Sequence, residues 1–325
     1  MGTPKRNTPQ TPTFKVKSKI ALCRSGGIGR RAGLKIQYLQ KCVGSSPTFG
    51  TTKINRGPHM IKNTPLEWLS FLHDCADAAD DLCKHYFNKA HLKVDQKSNQ
   101  TPVTEADLAI EKEIRRISAA TFPDLLIYAE EFGQCPDDAP QKLIIDPIDG
   151  TQNFVRGIPF VGTLLAIEEN GEIVAGIASQ AMTFERWSAA KGHGSYHVNP
   201  HLDAPKKIQV SPISDISQSQ VFHSSIFGSE AKGSTTDTFI KLLSKTKRQR
   251  GFGDYFAHVY VAQGVGEFAF DYNLKPWDIA PLKLIVEEAG GKYTDVNGTS
   301  SIYTGTIISS NNQFHDEIIN TLNGK

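Results

Sequence analysis

The chain has 325 residues, with 36 Lys and Arg against 34 Asp and Glu, and 39% of its residues are apolar. This length corresponds to one large or two ordinary domains with a buried core, and an apolar content that includes 17 Phe excludes an intrinsically disordered chain. No run of 18 apolar residues occurs, which predicts that the protein has no membrane partner.

The first 59 residues differ from the rest in charge. They contain 12 Lys and Arg and no Asp or Glu, whereas 24 Lys and Arg stand against 34 Asp and Glu from Met60 onward. Such a basic arm has three interpretations: a nucleic-acid-binding tail, a targeting peptide, or sequence outside the functional protein. Residues 23–31 and 43–48 resemble a tRNA gene read as protein. We therefore expect residues 1–59 to be a disordered or spurious extension, the functional chain to begin at Met60, and nucleic acid not to be a partner.

Two capping boxes predict the first two helices of the body. Residues 64–67, Thr-Pro-Leu-Glu, have Pro at the first helical position and open a long helix that ends near Phe87. Residues 104–107, Thr-Glu-Ala-Asp, open a second helix that stops before Pro123. Apolar residues follow both boxes at helical spacing, so each helix is predicted to bury one face.

Apolar runs and turn signals predict the strands. Residues 143–145, Leu-Ile-Ile, form a short continuous apolar run that is typical of a buried strand. Residues 160–167 and 172–179 flank the pair Asn170 and Gly171, which favours a hairpin. Residues 186–190 suggest a further strand.

Two more helices are predicted nearer the C-terminus. Residues 255–263 precede Gly264, and residues 279–289 precede Gly290, and glycine commonly follows the last residue of a helix. No regular element is predicted between residues 199 and 217. Helices first, then strands, then alternating elements predict a layered α/β structure.

The candidate metal ligands are oxygen donors. The five cysteines include no Cys-x-x-Cys pair, which predicts a reduced, cytoplasmic protein with neither a zinc knuckle nor a disulfide framework. Asp146 and Asp149 follow the predicted buried strand, with Pro147 between them and Gly150 after them. Two carboxylates so close repel one another unless a cation lies between them, and ligands that are all oxygen suit Mg²⁺. The alternative is an ordinary turn, in which Asp-Pro and Asp-Gly are common.

Further acids stand at the ends of other predicted elements. Glu130 and Glu131 follow a second apolar run, residues 125–128, and the alternative for them is a solvated charge pair. Asp278 stands at the mouth of a predicted helix and Asp107 within a capping box, so helix capping alone explains both. These acids come from distant parts of the chain but from the ends of its elements, which predicts that they converge into a metal cage.

Four separated motifs, in this order, resemble the inositol monophosphatase family of Mg²⁺-dependent phosphatases. They are residues 103–107 (Val-Thr-Glu-Ala-Asp), 129–131 (Ala-Glu-Glu), 146–154 (Asp-Pro-Ile-Asp-Gly-Thr-Gln-Asn-Phe) and 277–281 (Trp-Asp-Ile-Ala-Pro). The resemblance runs from about Leu66 to Asn311. It implies a layered α/β/α/β/α sandwich of the inositol monophosphatase and fructose-1,6-bisphosphatase type, with a metal-binding half, residues 60–195, and a second α/β half, residues 196–325. It also implies a homodimer that acts on a small phosphorylated substrate.

The resemblance assigns the acids to metal ions. It implies that Glu130, Asp146 and the carbonyl of Ile148 hold one Mg²⁺, and that Asp146, Asp149 and Asp278 hold a second. Glu130 with water would hold a weaker third, so that two or three ions occupy the site. Sharing of Asp146 would keep the first two ions roughly 3.5 to 4 Å apart, a spacing that suits the clamping of the attacking and leaving oxygens.

The same resemblance implies the catalytic residues, which are Asp107, Thr151 and Glu130. Thr151, oriented by Asp107, would position the attacking water and help to deprotonate it. The amides of Gly150 and Thr151 would cradle the phosphate. These roles place the catalytic hydroxyl directly beside the predicted metal ligands.

Two features resemble the histidinol-phosphate phosphatase branch of the family. Arg156 stands where the inositol-phosphate enzymes usually carry His, and residues 250–255, Arg-Gly-Phe-Gly-Asp-Tyr, are similar to that branch. This implies hydrolysis of L-histidinol phosphate in histidine biosynthesis, with inositol 1-phosphate or a broader range of sugar phosphates as alternatives. The carboxylate of Asp271 suits the amine of histidinol and, nearly as well, sugar hydroxyls. The predicted substrate-binding residues are Gly150, Thr151, Gln152, Asn153, Arg250, which would bind the phosphate side or close the pocket, and Asp271.

Overall fold

The structure, a computed structural model, describes residues 61–89, 92–96, 102–225 and 234–325. The predicted extension, residues 1–59, and the predicted start at Met60 lie outside the described residues. The helices within these ranges are α1 (Pro65–Tyr86), α2 (Glu105–Thr121), α3 (Thr151–Val155), α4 (Ser234–Ser244), α5 (Asp254–Ala262), α6 (Pro276–Glu288) and α7 (His315–Leu322). None of these helices is both long enough and apolar enough to cross a membrane.

The strands fall into two sheets and one small ribbon. They are β1 (Val94–Gln96), β2 (Pro102–Thr104), β3 (Leu126–Ala129), β4 (Gln141–Asp149), β5 (Gly162–Glu169), β6 (Glu172–Gln180), β7 (Glu185–Ala190), β8 (Gly194–Val198), β9 (Lys206–Lys207), β10 (Gln220–His223), β11 (Arg248–Arg250), β12 (Phe268–Tyr272), β13 (Lys292–Thr294) and β14 (Thr306–Ser310). The ribbon pairs β1 with β2 directly before α2.

Helices α1 and α2 begin at the predicted capping boxes. Glu67 donates its N–H to Thr64 Oγ1 at 3.2 Å, and its carboxylate accepts the N–H of Thr64 at 2.7 Å. Thr104 and Asp107 form the same reciprocal pair at the start of α2. The two helices pack their apolar faces against each other and against one sheet. The predicted starts and ends of both helices are confirmed to within a residue or two.

Strands β3 to β9 form a seven-stranded sheet in chain order. β3 and β4 are parallel, and each later neighbouring pair is antiparallel. β4 is buried along eight of its nine residues, which explains the continuous apolar run at residues 143–145. β5 and β6 form the predicted hairpin, in which Asn170 and Gly171 have φ values of 51° and 82°, as a type I′ turn requires.

The elements stack in five layers. α1 and α2 cover one face of the seven-stranded sheet, and α5 and α6 pack against its other face. A five-stranded sheet, in the order β11-β10-β12-β14-β13, follows on the far side of α5. α4 and α7 cover the outer face of that second sheet. The arrangement confirms the predicted α/β/α/β/α sandwich.

Helix α6 begins three residues earlier than the sequence predicted. The expected helix was 279–289, whereas α6 spans Pro276–Glu288, so Asp278 is its third residue rather than its N-cap. Pro276 stands at the first helical position, where proline is favoured, but Pro281 lies inside the helix, where proline is unfavourable, so the local signals conflict. Gly176 on β6 lies against Pro281: a Cβ atom on this glycine would approach the Pro281 Cα to 3.0 Å. The glycine therefore lets α6 pack closely on the sheet and bring Asp278 to the end of β4.

Candidate active site

The end of strand β4 carries two of the predicted ligands. In a regular strand, residues three apart point to opposite faces of the sheet. Asp146 pairs with Leu164 and Asp149 with Gly162, so three steps along β4 match two steps along β5. This β-bulge turns the side chain of Asp149 to the same side as that of Asp146.

Asp278 joins these two carboxylates from α6. Asp146, Asp149 and Asp278 each offer one oxygen, and the three oxygen atoms lie within 4.8 Å of one another. Backbone donors fix two of the acids, because Lys275 N–H donates to Asp278 Oδ2 at 2.7 Å and Tyr255 N–H donates to Asp149 Oδ2 at 2.7 Å. Asp278 therefore does cap its helix, but from within the first turn.

Burial sets the electrostatics of this cluster. Burial, reinforced by the charges of Glu130 and Asp149, holds the pKa of Asp146 well above its usual range. Burial and the charge of Asp254 hold the pKa of Asp149 well above its usual range. Burial likewise raises the pKa of Asp278 to about 7. Without a cation, these raised pKa values favour the protonated forms of the three carboxyl groups.

The donor set fits a hard divalent cation. Within the described residues, Asp146 Oδ1 is buried and has no hydrogen-bond partner. A buried carboxylate oxygen costs free energy when nothing compensates its charge, and a divalent cation among several acids removes that cost. The donors are carboxylate and carbonyl oxygens, which suit Mg²⁺ better than zinc.

Glu130 reaches the same cavity from the end of β3. Its N–H donates to the Ile145 carbonyl at 3.3 Å, which holds it beside the start of the acid motif. Glu130, Asp146, Ile148, Asp149 and Asp278 all line one cavity. The five predicted metal ligands therefore line one cavity, and three of them, the aspartates, form a close group within it.

Thr151 lies between two acceptors. Its Oγ1 is 3.0 Å from the Ile148 carbonyl oxygen and 3.4 Å from Asp107 Oδ1. The other oxygen of Asp107 accepts the N–H of Thr104 at 2.8 Å and its hydroxyl at 2.6 Å. Burial raises the pKa of Asp107 to about 6. Asp107 thus caps α2 with one oxygen and faces Thr151 with the other. The capping interpretation is confirmed, and the catalytic role stays a prediction.

The cavity has a volume of about 950 Å³ and extends from the carboxylates to a group of aromatic side chains. Phe160, Phe252 and Phe256 line it, and their ring centroids lie 5.1 to 6.4 Å apart. Phe160 and Phe252 are 41% and 36% exposed. An organic group bound in the cavity would therefore meet apolar rings as well as acids.

Two further acids line this cavity. Asp271 is buried, accepts the Ser224 hydroxyl at 2.5 Å and the Tyr272 N–H at 2.8 Å, and burial raises its pKa to about 7. Asp254 accepts Asn153 Nδ2 at 3.1 Å and has a φ of 57°, an uncommon conformation for a residue other than glycine. Asp254 is not among the site residues predicted from the sequence. The signal that could have found it is its place in the motif at residues 250–255.

The remaining predicted substrate contacts differ in position. Gly150, Gln152 and Asn153 line the cavity together with Thr151. Arg250 does not line it: the residue is exposed in β11, and its Nη1 donates to the Gln249 carbonyl at 2.7 Å. Arg250 therefore lies apart from the other predicted residues, because Gly251 is the first residue after β11 that lines the cavity. Its proposed role in binding the phosphate side or closing the pocket stays a prediction.

Comparisons with known proteins cover the part of the chain that carries this cavity. The sequence model of the inositol monophosphatase family matches residues 66–324. A histidinol-phosphatase of Mycobacterium tuberculosis is 34% identical over 248 residues, which are 76% of this chain and 95% of that protein. A histidinol-phosphatase of Streptomyces coelicolor is 36% identical over 262 residues, which are 79% of this chain and 97% of that protein. A solved structure of an IMPase from Thermotoga maritima matches with a TM-score of 0.69 and 29% identity, over 79% of this chain and 97% of its own.

Proposed function

Because the chain belongs to the inositol monophosphatase family and is a phosphoric monoester hydrolase, we propose that it uses Mg²⁺ to hydrolyse L-histidinol phosphate to L-histidinol and phosphate. This reaction would be a step of histidine biosynthesis. The observation that carries the proposal is that one cavity combines the five proposed oxygen ligands with aromatic rings and two further acids. The two similar proteins named histidinol-phosphatase support the choice of substrate.

The proposed cation ligands are the residues whose oxygens meet at the end of β4. Glu130, Asp146 and the Ile148 carbonyl would hold one ion, and Asp146, Asp149 and Asp278 a second. When bound, divalent cations neutralise charge on the phosphoryl oxygens and lower the pKa of water. Glu130 would serve a weaker third ion.

The hydroxyl of Thr151 would position the attacking water and accept a proton from it. Since the Ile148 carbonyl is a proposed cation ligand, Asp107 Oδ1 is the acceptor that remains for the hydroxyl proton of Thr151. The Thr151 oxygen accepts a proton from the water as its own proton moves to Asp107, whose pKa of about 6 suits a base near neutral pH. The water oxygen forms a bond to phosphorus as the ester P–O bond breaks. The leaving oxygen takes a proton from solvent water and departs as the alcohol, and Asp107 returns its proton to solvent.

The turn after β4 would receive the phosphate. Gly150 has a φ of 83°, and a Cβ atom there would lie 3.1 Å from the Phe160 carbonyl oxygen, so only glycine fits without strain. The backbone N–H groups of Gly150 and Thr151 would donate to phosphate oxygens at this turn. Gln152 and Asn153 follow them in the chain and also line the cavity.

The rest of the cavity suits an aromatic cation. Histidinol carries an ammonium group, for which the carboxylates of Asp254 and Asp271 offer charge-assisted acceptors, and a flat imidazole ring, for which Phe160 and Phe252 offer apolar faces. Inositol 1-phosphate is the alternative substrate, because Asp271 and Asn153 also present polar atoms that sugar hydroxyls could bind.

Release of phosphate from several substrates tests this proposal. Purified protein is given histidinol phosphate, inositol 1-phosphate and fructose 1,6-bisphosphate separately, with Mg²⁺ and with EDTA. We expect the highest kcat/KM with histidinol phosphate and near-total loss in EDTA. Asp146→Asn should also lose nearly all activity, whereas Asp203→Asn, which changes an exposed carboxylate that does not line the cavity, should not.

The outcomes separate the two parts of the proposal. Equal turnover of inositol 1-phosphate contradicts the substrate assignment but leaves the phosphatase chemistry. Undiminished turnover in EDTA contradicts the requirement for a divalent cation.

A further inference from the structure

Glu111 is a buried acid that the proposed chemistry does not use. It lies one helical turn after Asp107 on α2, and its side chain is fully buried. Its carboxylate accepts three hydrogen bonds: from Glu131 N–H at 2.8 Å, from Phe132 N–H at 3.1 Å and from Arg115 Nε at 2.8 Å. A charged side chain is rarely so deeply buried unless donors surround it. Here two of the three donors belong to one loop.

That loop, residues 130–133, begins with the proposed cation ligand Glu130. On one side the N–H of Glu130 donates to the Ile145 carbonyl at 3.3 Å. On the other side, Glu111 holds the next two N–H groups, and Arg115 Nη2 donates to the Gly133 carbonyl at 3.0 Å. The backbone directly after Glu130 is therefore attached to α2 by a carboxylate and a guanidinium that are themselves paired.

We propose that Glu111 is a positioning residue that sets the affinity of the divalent cation held by Glu130. The inference rests on the proposed function, because it assumes that Glu130 binds a cation. Residues that orient metal ligands commonly contribute roughly 10–100-fold to metal affinity or activity. Since Asp107 and Glu111 share a face of α2, the helix fixes the position of Thr151 through one acid and that of Glu130 through the other.

Cation binding by the full chain tests this role directly. Glu111→Gln keeps the size of the side chain but replaces one acceptor oxygen by a donor that faces the N–H groups of the loop. We expect this variant to bind Mn²⁺, followed by electron paramagnetic resonance, and Mg²⁺, followed by calorimetry, roughly 10–100-fold more weakly than the wild type. The Mg²⁺ concentration that gives half-maximal activity should rise by a similar factor, and kcat should recover at high Mg²⁺.

Glu113→Gln is the matched control, because Glu113 lies on the same helix and forms a half-exposed ion pair with Arg116 at 2.7 Å. Its cation affinity should equal that of the wild type. Glu111→Gln should not weaken cation binding further in a Glu130→Gln background, since both changes act on the same ligand. If Glu111→Gln fails to fold, Arg115→Gln removes only the outer part of the attachment and should weaken cation binding in the same direction, by a smaller factor.

The inference is overturned if Glu111→Gln binds cations as tightly as the wild type, or if it weakens cation binding by the same factor in the Glu130→Gln background as in the wild-type background. A lower melting temperature in EDTA together with unchanged cation affinity would mean that Glu111 only stabilises the fold. Absence of cation binding by the wild type would instead overturn the proposed function, and the inference with it.

Discussion

The hydroxyl of Thr151 lies 3.4 Å from Oδ1 of Asp107, across 44 residues of sequence, while Oδ2 of the same carboxylate caps the helix that begins after Thr104. The acceptor is thus held by the helix start and is not free to rotate away from Thr151. Because burial raises the pKa of Asp107 to about 6, this acid can take up a proton near neutral pH.

Removal of the Thr151 hydroxyl should therefore lower kcat. We expect Thr151→Ala to reduce kcat by roughly 10²–10⁴-fold, the usual contribution of a positioned proton-transfer group, whereas Thr151→Ser keeps the hydroxyl and most of the activity. Steady-state kinetics at saturating Mg²⁺ measures both. A kcat for Thr151→Ala equal to that of Thr151→Ser would show that the hydroxyl takes no part in proton transfer.

Asp146→Asn should have opposite effects on activity and on stability without metal. The pKa of Asp146 is held well above its usual range, so its ionised form destabilises the folded protein at neutral pH in EDTA. We expect Asp146→Asn to melt at a temperature equal to or higher than that of the wild type in EDTA. A bound cation at roughly 100 times its Kd adds about 2.7 kcal/mol of stability, and the variant should lose this increment.

Differential scanning calorimetry with and without Mg²⁺ checks this expectation. A variant that melts well below the wild type in EDTA, yet responds to Mg²⁺ as the wild type does, would contradict the assignment of Asp146 as a ligand.

The stability of the metal-free protein should depend on pH through Asp271. Its pKa is about 7 in the folded state, above the ordinary value of 3.8, so the folded state binds the proton more tightly than the unfolded state does. The contribution of Asp271 to stability is therefore present below about pH 4 and is lost as the pH rises towards about 7. Asp271→Asn stays neutral, so its free energy of unfolding relative to that of the wild type should rise across this range.

Urea denaturation in EDTA at a series of pH values provides the measurement. The Asn side chain changes the hydrogen bonds from Ser224 and Tyr272 at every pH, so only the change of the difference with pH is informative. A constant difference across this range would mean that Asp271 titrates normally.

Asp254 should determine the preference for a cationic substrate. Asp254→Asn keeps a polar side chain beside Asn153 but removes the charge, and a hydrogen bond to a charged group contributes about 1.5–3 kcal/mol. We expect kcat/KM for histidinol phosphate to fall roughly 10–100-fold, while kcat/KM for inositol 1-phosphate changes little. Competition between the two substrates gives the ratio directly. If both values fall by the same factor, Asp254 acts on the geometry of the site and not on substrate choice.

Much of the first half of the fold could be predicted from the sequence. The two capping boxes, the apolar run at residues 143–145 and the Asn-Gly hairpin are local signals, and each formed the expected element. The strands of the five-stranded sheet were not predicted individually. β11 has the sequence Arg-Gln-Arg and only three residues, so its strand conformation comes from pairing with β10 and not from local preference.

The site was predictable where chemistry alone marks it. Acids placed at element ends were expected to converge, and the structure brings Asp146, Asp149 and Asp278 together. Asp254 and Glu111 were not identified from the sequence. The sequence does not show that Asp254 has a positive φ, nor that the loop after β3 folds over Glu111. Such features depend on contacts between residues that are 20 or more positions apart.

The bulge in β4 supplies an atom as well as an orientation. In a regular strand, two acids with one residue between them already point to the same face. A bulge with two residues between the acids is therefore not needed merely to orient both carboxylates the same way. The strand register pairs Asp146 and Asp149 with residues of β5 but skips Pro147 and Ile148. The Pro147 carbonyl accepts the Thr163 hydroxyl at 2.8 Å, and the Ile148 carbonyl is one of the five proposed ligands. Because every amino acid carries this carbonyl, replacing the Ile148 side chain leaves the ligand in place. Substitution of the Ile148 side chain therefore cannot test this ligand. Deletion of one of the two residues between Asp146 and Asp149 should retain both carboxylates and still weaken cation binding.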